Sequence, residues 1–139
     1  MTSIATNEPD FLERLVDDVL NKQDYYALVV SPMLVDGNSI AVMPMPANDY
    51  DYYYDGSHRQ GYNFQVLARH EEQLTTYNTL LIISALLTKI QDIPSKNGSY
   101  KFENESITIT TDVSIIGKDD RYFTFAAQFS ADLLINPKG

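Results

Sequence analysis

The chain has no cysteine and only two histidines, His58 and His70. The first absence excludes disulfides, cysteine-ligated zinc, iron–sulfur clusters and thiol catalysis. The second excludes an imidazole-rich metal site. Its six glycines, Gly37, Gly56, Gly61, Gly98, Gly117 and Gly139, are scattered. The Walker and dinucleotide fingerprints, which need closely spaced glycines, are therefore missing. No apolar run reaches the roughly 20 residues that cross a bilayer. The opening Met1-Thr2-Ser3-Ile4-Ala5-Thr6-Asn7-Glu8 has neither the basic region nor the apolar core of a signal peptide, so folding in a cytoplasm is expected.

Positive charge is also scarce. Ten Lys and Arg stand against nineteen Asp and Glu, a formal net charge of -9. Such a balance disfavours nucleic-acid binding that rests on neutralising phosphates. The charge is uneven: residues 1–55 hold ten acids and two bases, and residues 56–139 hold nine acids and eight bases. What the chain does contain is ordinary for a globular protein: 139 residues, 44% hydrophobic and 21% charged. That length predicts one domain over residues 1–139.

Periodicity predicts an α+β fold. Phe11, Leu12, Leu15, Val16, Val19 and Leu20 recur along one helical stripe, placing a helix at residues 8–22. Thr6 or Asn7 is a suitable cap and Pro9 suits its first turn. Tyr25 to Met33 is extended by composition, and Ser39 to Met43 reads as a strand ended by Pro44 and Pro46. Residues 47–57 read as a loop. Gln60 to Arg69 alternates as a second strand. A long helix follows from Glu71 to Gln91, with Leu74, Tyr77, Leu81, Ala85 and Thr88 on one stripe and Leu80, Ile83, Leu87 and Ile90 beside it. Ile82 and Leu86 widen the apolar arc, which predicts either burial on two sides or a subunit interface. Ile107, Ile109, Thr111, Val113 and Ile115 alternate on a third strand. Gly117-Lys118-Asp119-Asp120 turns the chain into a fourth, Arg121–Ile135, with Phe123, Phe125 and Phe129 on one face. The expected architecture is a mainly antiparallel or mixed four-stranded sheet with two helices packed on one face.

Catalytic motifs fail on their spacing. His70-Glu71-Glu72-Gln73-Leu74 starts like a zinc-protease helix, but leucine stands where the second histidine ligand belongs. Ser57-His58 beside Asp55 suggests a hydrolytic triad, yet sequence neighbours rarely have its geometry, and no Gly-x-Ser-x-Gly elbow is present. Two Asn-x-Ser sequons, at Asn97 and Asn104, are chance matches in the absence of a secretory signal. The chain is expected to have no enzymatic activity, no metal and no cofactor.

The most unusual segment is Asp49-Tyr50-Asp51-Tyr52-Tyr53-Tyr54-Asp55-Gly56. Tyrosine supplies large, rigid contact area at low entropic cost, so Asp49, Tyr50, Asp51, Tyr52, Tyr53, Tyr54 and Asp55 are the candidate interaction residues. A plain surface loop and a calcium loop stay open beside that reading, although the Glu that completes an EF-hand is missing.

Four segments, in order, resemble the phage proteins termed minor capsid proteins, the tail terminators of long-tailed bacteriophages. They are Asp10-Phe11-Leu12-Glu13-Arg14-Leu15-Val16, Ile40-Ala41-Val42-Met43-Pro44, Phe64-Gln65-Val66-Leu67-Ala68-Arg69-His70, and Ser114 to Phe125. The resemblance implies a structural virion protein assembled in the host cytoplasm. It would form a ring, hexameric in that family, on the tail tube. Its partners would be itself, the major tail protein below and a head-completion or neck protein above. Specific binding to nucleic acid or membrane is not expected. DNA would pass through the ring, and a lumen lined by the acidic first part would repel it within a Debye length of roughly 8 Å. Replacing Asp49, Asp51 and Asp55 with Asn is then expected to slow that passage. Two other functions fit the same sequence: a head-completion or neck adaptor, and a small soluble protein-binding module using the Tyr/Asp loop.

Overall fold

The computed structural model describes residues 10–31, 33–45, 50–52, 58–102 and 106–135, with 50–52 and 58–60 described as backbone alone. The fold is α+β, a mixed sheet with two helices. Helix α1 (Phe11–Arg14) continues into a π-helical turn at Leu15–Val19 and a 3-10 turn at Leu20–Lys22. The strands are β1 (Val29–Val30), β2 (Ser39–Pro44), β3 (Tyr50–Tyr52) and β4 (His58–His70), then β5 (Tyr100–Phe102), β6 (Thr108–Asp119) and β7 (Tyr122–Ile135). Helix α2 spans Gln73–Leu87, between β4 and β5.

Among the described residues the sheet has seven strands rather than the four expected, in the order β1-β2-β4-β7-β5, with β3 also on β4 and β6 also on β7. The three additions, β1, β3 and β5, have only two or three residues each, too few for alternation to show. β1 runs parallel to β2, with Val29 opposite Ile40, whereas the long strands pair antiparallel. Pro44 remains in β2 because β1 reaches only Ile40 and Ala41, so among the described residues no neighbouring strand on that side needs the missing N–H. The segment expected to turn at residues 117–120 stays in β6 as far as Asp119. The reversal is made by Asp120, whose φ is 55°, and Arg121.

β4 and β7 form the spine, paired continuously from His58–Ile135 to His70–Phe123. Alternate residues Phe64, Val66 and Ala68 of β4 and Phe125, Ala127, Phe129 and Ala131 of β7 share one buried face. Both helices cover that face. Phe11, Leu15 and Leu20 from the first helical segment and Leu80, Ile83 and Leu87 from α2 enter the same core. Burying each of these side chains contributes about 1.5–3 kcal/mol. Phe64 and Phe129 stack with ring centroids 5.4 Å apart, and Phe11 packs edge-on against Tyr62 at 4.8 Å.

Of the two stripes of α2 expected to be buried, only the one with Leu80, Ile83 and Leu87 enters the core. Thr76, Leu80, Ile83, Ser84 and Leu87 are its buried residues. Leu74, Tyr77 and Leu81, on the stripe expected to be buried, are exposed. Glu71 and Glu72 precede the helix rather than opening it. The Glu72 carboxylate accepts a hydrogen bond from the Thr75 hydroxyl at 2.9 Å. The third expected strand departs similarly: Ile107 is buried and Val113 half-buried, but Ile109 and Ile115 are exposed.

Candidate interaction surface

Of the sequence-predicted site, Tyr50, Asp51 and Tyr52 form β3, paired with Gln60, Arg59 and His58 respectively. The expected loop over 47–57 is therefore strand at these three positions. Asp49, Tyr53, Tyr54 and Asp55 lie outside the described residues, as do Ser57 and the helix-capping candidates Thr6 and Asn7. Among the described residues no group of three or more His, Asp and Glu side chains converges in a way that would hold a metal ion. His70 ends β4, where its Nδ1 accepts the Glu72 N–H at 2.9 Å and its ring meets Tyr26 edge-on. The same Tyr26 places its hydroxyl 2.9 Å from the Ser39 carbonyl oxygen and 3.0 Å from that of Arg69. It thus joins the start of β2 to the end of β4. Burial pushes this phenol well above its usual range, so it keeps its proton.

A polar clamp unseen in the sequence ties the first helical segment to the chain before β5. Asp10 accepts hydrogen bonds from the Ser95 hydroxyl at 2.6 Å and from the backbone N–H groups of Lys96 at 2.9 Å and Asn97 at 3.4 Å. Its own N–H donates to the Ser99 hydroxyl at 3.1 Å. Burial pushes the carboxyl up, but the donors from Ser95, Lys96 and Asn97 outweigh that and leave it below its ordinary value. Arg14 adds charge from behind, 3.6 Å from Asp10 and 3.0 Å from Asp18. With every partner drawn from the protein's own chain, the clamp fastens a loop.

The surface feature with functional content is the outer flank of α2 together with β6. Leu74, Tyr77 and Leu81 follow one another at i, i+3 and i+7, so they line a single stripe. Leu74 is 69% exposed and Ile82 beside the stripe 61%. From Gln73 to Leu87 the helix carries no charged residue, in a chain whose net charge is -9. Between this stripe and the sheet lies a cleft of about 410 Å³ lined by Gln73, Leu74, Tyr77 and Phe125. Ile115 sits opposite Phe125 in the sheet, and Ile109 opposite Phe129, which extends the apolar surface from the helix onto β6. Among the described residues β6 pairs only with β7, leaving its outer edge open. Three register shifts interrupt β6 along this pairing.

A second apolar group lies at the other edge of the sheet. Leu28 precedes β1, while Met33 and Val35 follow it, and all three are more than half exposed. Asp24 and Asp36 are the charged residues of this stretch. The backbone here is fixed by Arg69, whose guanidinium donates to the carbonyl oxygens of Gly37 and Val35.

Comparison of the chain with protein-family models gives no match, and comparison with curated proteins gives none either.

Proposed function

We propose that this chain is a structural assembly protein, a tail terminator that closes a phage tail tube as a ring and receives the head-completion proteins. One observation carries the reading: an acidic chain exposes the apolar stripe Leu74, Tyr77 and Leu81 on a helix α2 that carries no charge, with Ile109 and Ile115 exposed on the neighbouring β6. Isolated exposed apolar residues are commonplace, but a contiguous patch stripped of charge marks a protein–protein contact, because interface cores are depleted in charged residues. The order of elements, which resembles that of the tail terminators, supports the same reading. In such a ring, hexameric in that family, each subunit meets itself, the tube protein below and a neck protein above. The acids of residues 1–55 line the DNA path without holding it.

The test uses the purified chain and the purified major tail protein of the same phage. Added to polymerising tube protein, the chain should shorten the tubes and appear as a cap at one end in electron micrographs. Tubes of unchanged length with bare ends would reject the terminator reading.

A further inference from the structure

We infer that Asn97–Gly98 is a self-modification site: the Gly98 amide nitrogen displaces ammonia from the Asn97 side chain, and the carboxylate that results unlocks the Asp10 clamp. No other asparagine of the chain precedes a glycine. The chemistry concerns the joint between the first helical segment and the loop before β5, and it does not depend on a ring or on the α2 surface.

Glycine matters at position 98 because it has no Cβ to hold the neighbouring carboxamide away from its nitrogen. Among the described residues beyond its chain neighbours, nothing lies within 4 Å of the place a Gly98 Cβ would occupy. Asn97 and Gly98 are both exposed, so water and base reach them. The Gly98 nitrogen gives its proton to solvent base and bonds to the Asn97 Cγ. The Cγ–Nδ2 bond breaks, the side-chain nitrogen leaves as ammonia, and a five-membered imide remains. Water then adds to one of the two imide carbonyl carbons and breaks its bond to the ring nitrogen. Addition at Cγ gives aspartate; addition at the backbone carbonyl gives isoaspartate, with an extra methylene in the main chain. Either way a carboxylate replaces a neutral amide.

The closed clamp restrains both reacting groups. The Gly98 N–H donates to the Ser95 hydroxyl oxygen at 3.0 Å, and the Asn97 Oδ1 accepts the Ser99 N–H at 2.9 Å. Closing the imide swings the carboxamide over the Gly98 nitrogen and breaks these bonds. The reaction therefore proceeds when the loop opens locally. Ser95 sets how often that happens, because its hydroxyl also donates to Asp10 at 2.6 Å.

The product does not fit the closed clamp. The Ser95 oxygen stands 2.6 Å from the Asp10 Oδ1 and 3.0 Å from the Asn97 Oδ1, and its single proton serves one of them. With an amide at position 97, that proton goes to the Asp10 carboxylate and the Asn97 oxygen takes the Ser99 N–H. A carboxylate there sets a second negative charge beside Asp10, and like charges this close disfavour both ionised forms. Arg14, already shared among Asp10, Asp17 and Asp18, has little left to neutralise the newcomer. Isoaspartate also lengthens the main chain and shifts Ser99, whose hydroxyl holds the Asp10 N–H. A transient opening is thereby made permanent.

Lys96 and Lys101 flank the site, so trypsin releases residues 97–101 as one peptide. The folded chain is incubated in mildly alkaline buffer, digested and analysed by mass spectrometry. The peptide is expected to gain the mass that marks an amide becoming a carboxyl, and to split into aspartate and isoaspartate forms, more slowly than in chain unfolded by urea. Ser95→Ala should raise the folded-state rate roughly tenfold, the change in open population that follows the loss of one or two hydrogen bonds. Asn97→Gln, whose longer side chain cannot close the five-membered ring, should keep its mass. Asn97→Asp copies the product; it should lower the urea midpoint at neutral pH, and the deficit should shrink in acid as Asp10 is protonated. No mass gain in the folded chain, an unchanged rate in Ser95→Ala, or a wild-type midpoint for Asn97→Asp would overturn the inference.

Discussion

The Asp10 carboxylate holds the Ser95 hydroxyl at 2.6 Å across most of the length of the chain. Together with the N–H groups of Lys96 and Asn97, this bond fastens the start of the first helical segment to the loop before β5. Hydrogen bonds to a charged group contribute about 1.5–3 kcal/mol, so Asp10→Ala should destabilise the fold by roughly that amount in urea unfolding. The folded carboxyl titrates below its ordinary 3.8. Its contribution is therefore complete above the unfolded value and is lost as pH falls through the lower, folded one. Asp10→Asn should remove this acid-limb dependence, and a stability–pH profile of the two proteins checks it.

Leu80 and Leu81 are sequence neighbours with opposite fates, the first fully buried and the second 40% exposed. Leu80→Ala should cost about 2–5 kcal/mol, the usual loss for a large core side chain. Leu81→Ala should cost less, about 1–2 kcal/mol, since 40% of its surface already faces solvent. Equal losses in denaturant titrations would mean that α2 is rotated from the orientation described.

Phe11 is the aromatic hinge between helix and sheet. Its ring meets Tyr62 at 4.8 Å, Tyr100 at 5.6 Å, Phe64 at 6.0 Å and Phe102 at 6.1 Å. Phe11→Ala should destabilise the protein by about 3–5 kcal/mol. It should also raise amide exchange in residues 11–22 above that of the β4–β7 spine, measured by hydrogen–deuterium exchange.

Asp120 turns the β6–β7 hairpin with φ at 55°, a left-handed conformation that costs an ordinary side chain roughly 1–2 kcal/mol. Asp120→Gly should be neutral or slightly stabilising, and Asp120→Val should lose about that cost. Thermal unfolding of the two variants distinguishes them.

Much of this architecture is legible in the sequence because the long elements have clear periods. The alternation in Tyr62, Phe64, Val66 and Ala68 marks β4, and Phe125, Ala127 and Phe129 mark β7. Helix α2 is legible as a helix but not in its rotation. Leucine and isoleucine surround it on nearly every side, so no polar face points away from the core, and the polar Thr76 and Ser84 are buried together with Leu80, Ile83 and Leu87. β6 shows the reverse case: alternating isoleucines read as a half-buried strand, while the bulged edge leaves Ile109 and Ile115 exposed. The Asp10 clamp was beyond reach because its donors stand far along the chain. The tyrosine cluster stands out by composition, whereas the apolar stripe of α2 is marked in the sequence by the charge-free run from Gln73 to Leu87.

The spine has a kinetic consequence. β4 finds its partner only after the whole of α2, β5 and β6 has been laid down, with His70 facing Phe123 and His58 facing Ile135. Pairings of such high sequence separation must meet the entropy of closing a large loop before any contact rewards them, which slows folding. During synthesis β2 and α2 can meet β4 as soon as they have emerged, but the edge of β4 that faces β7 stays open until Phe123 is made. The β6–β7 hairpin, whose contacts are local, is then the natural template onto which the waiting strand closes.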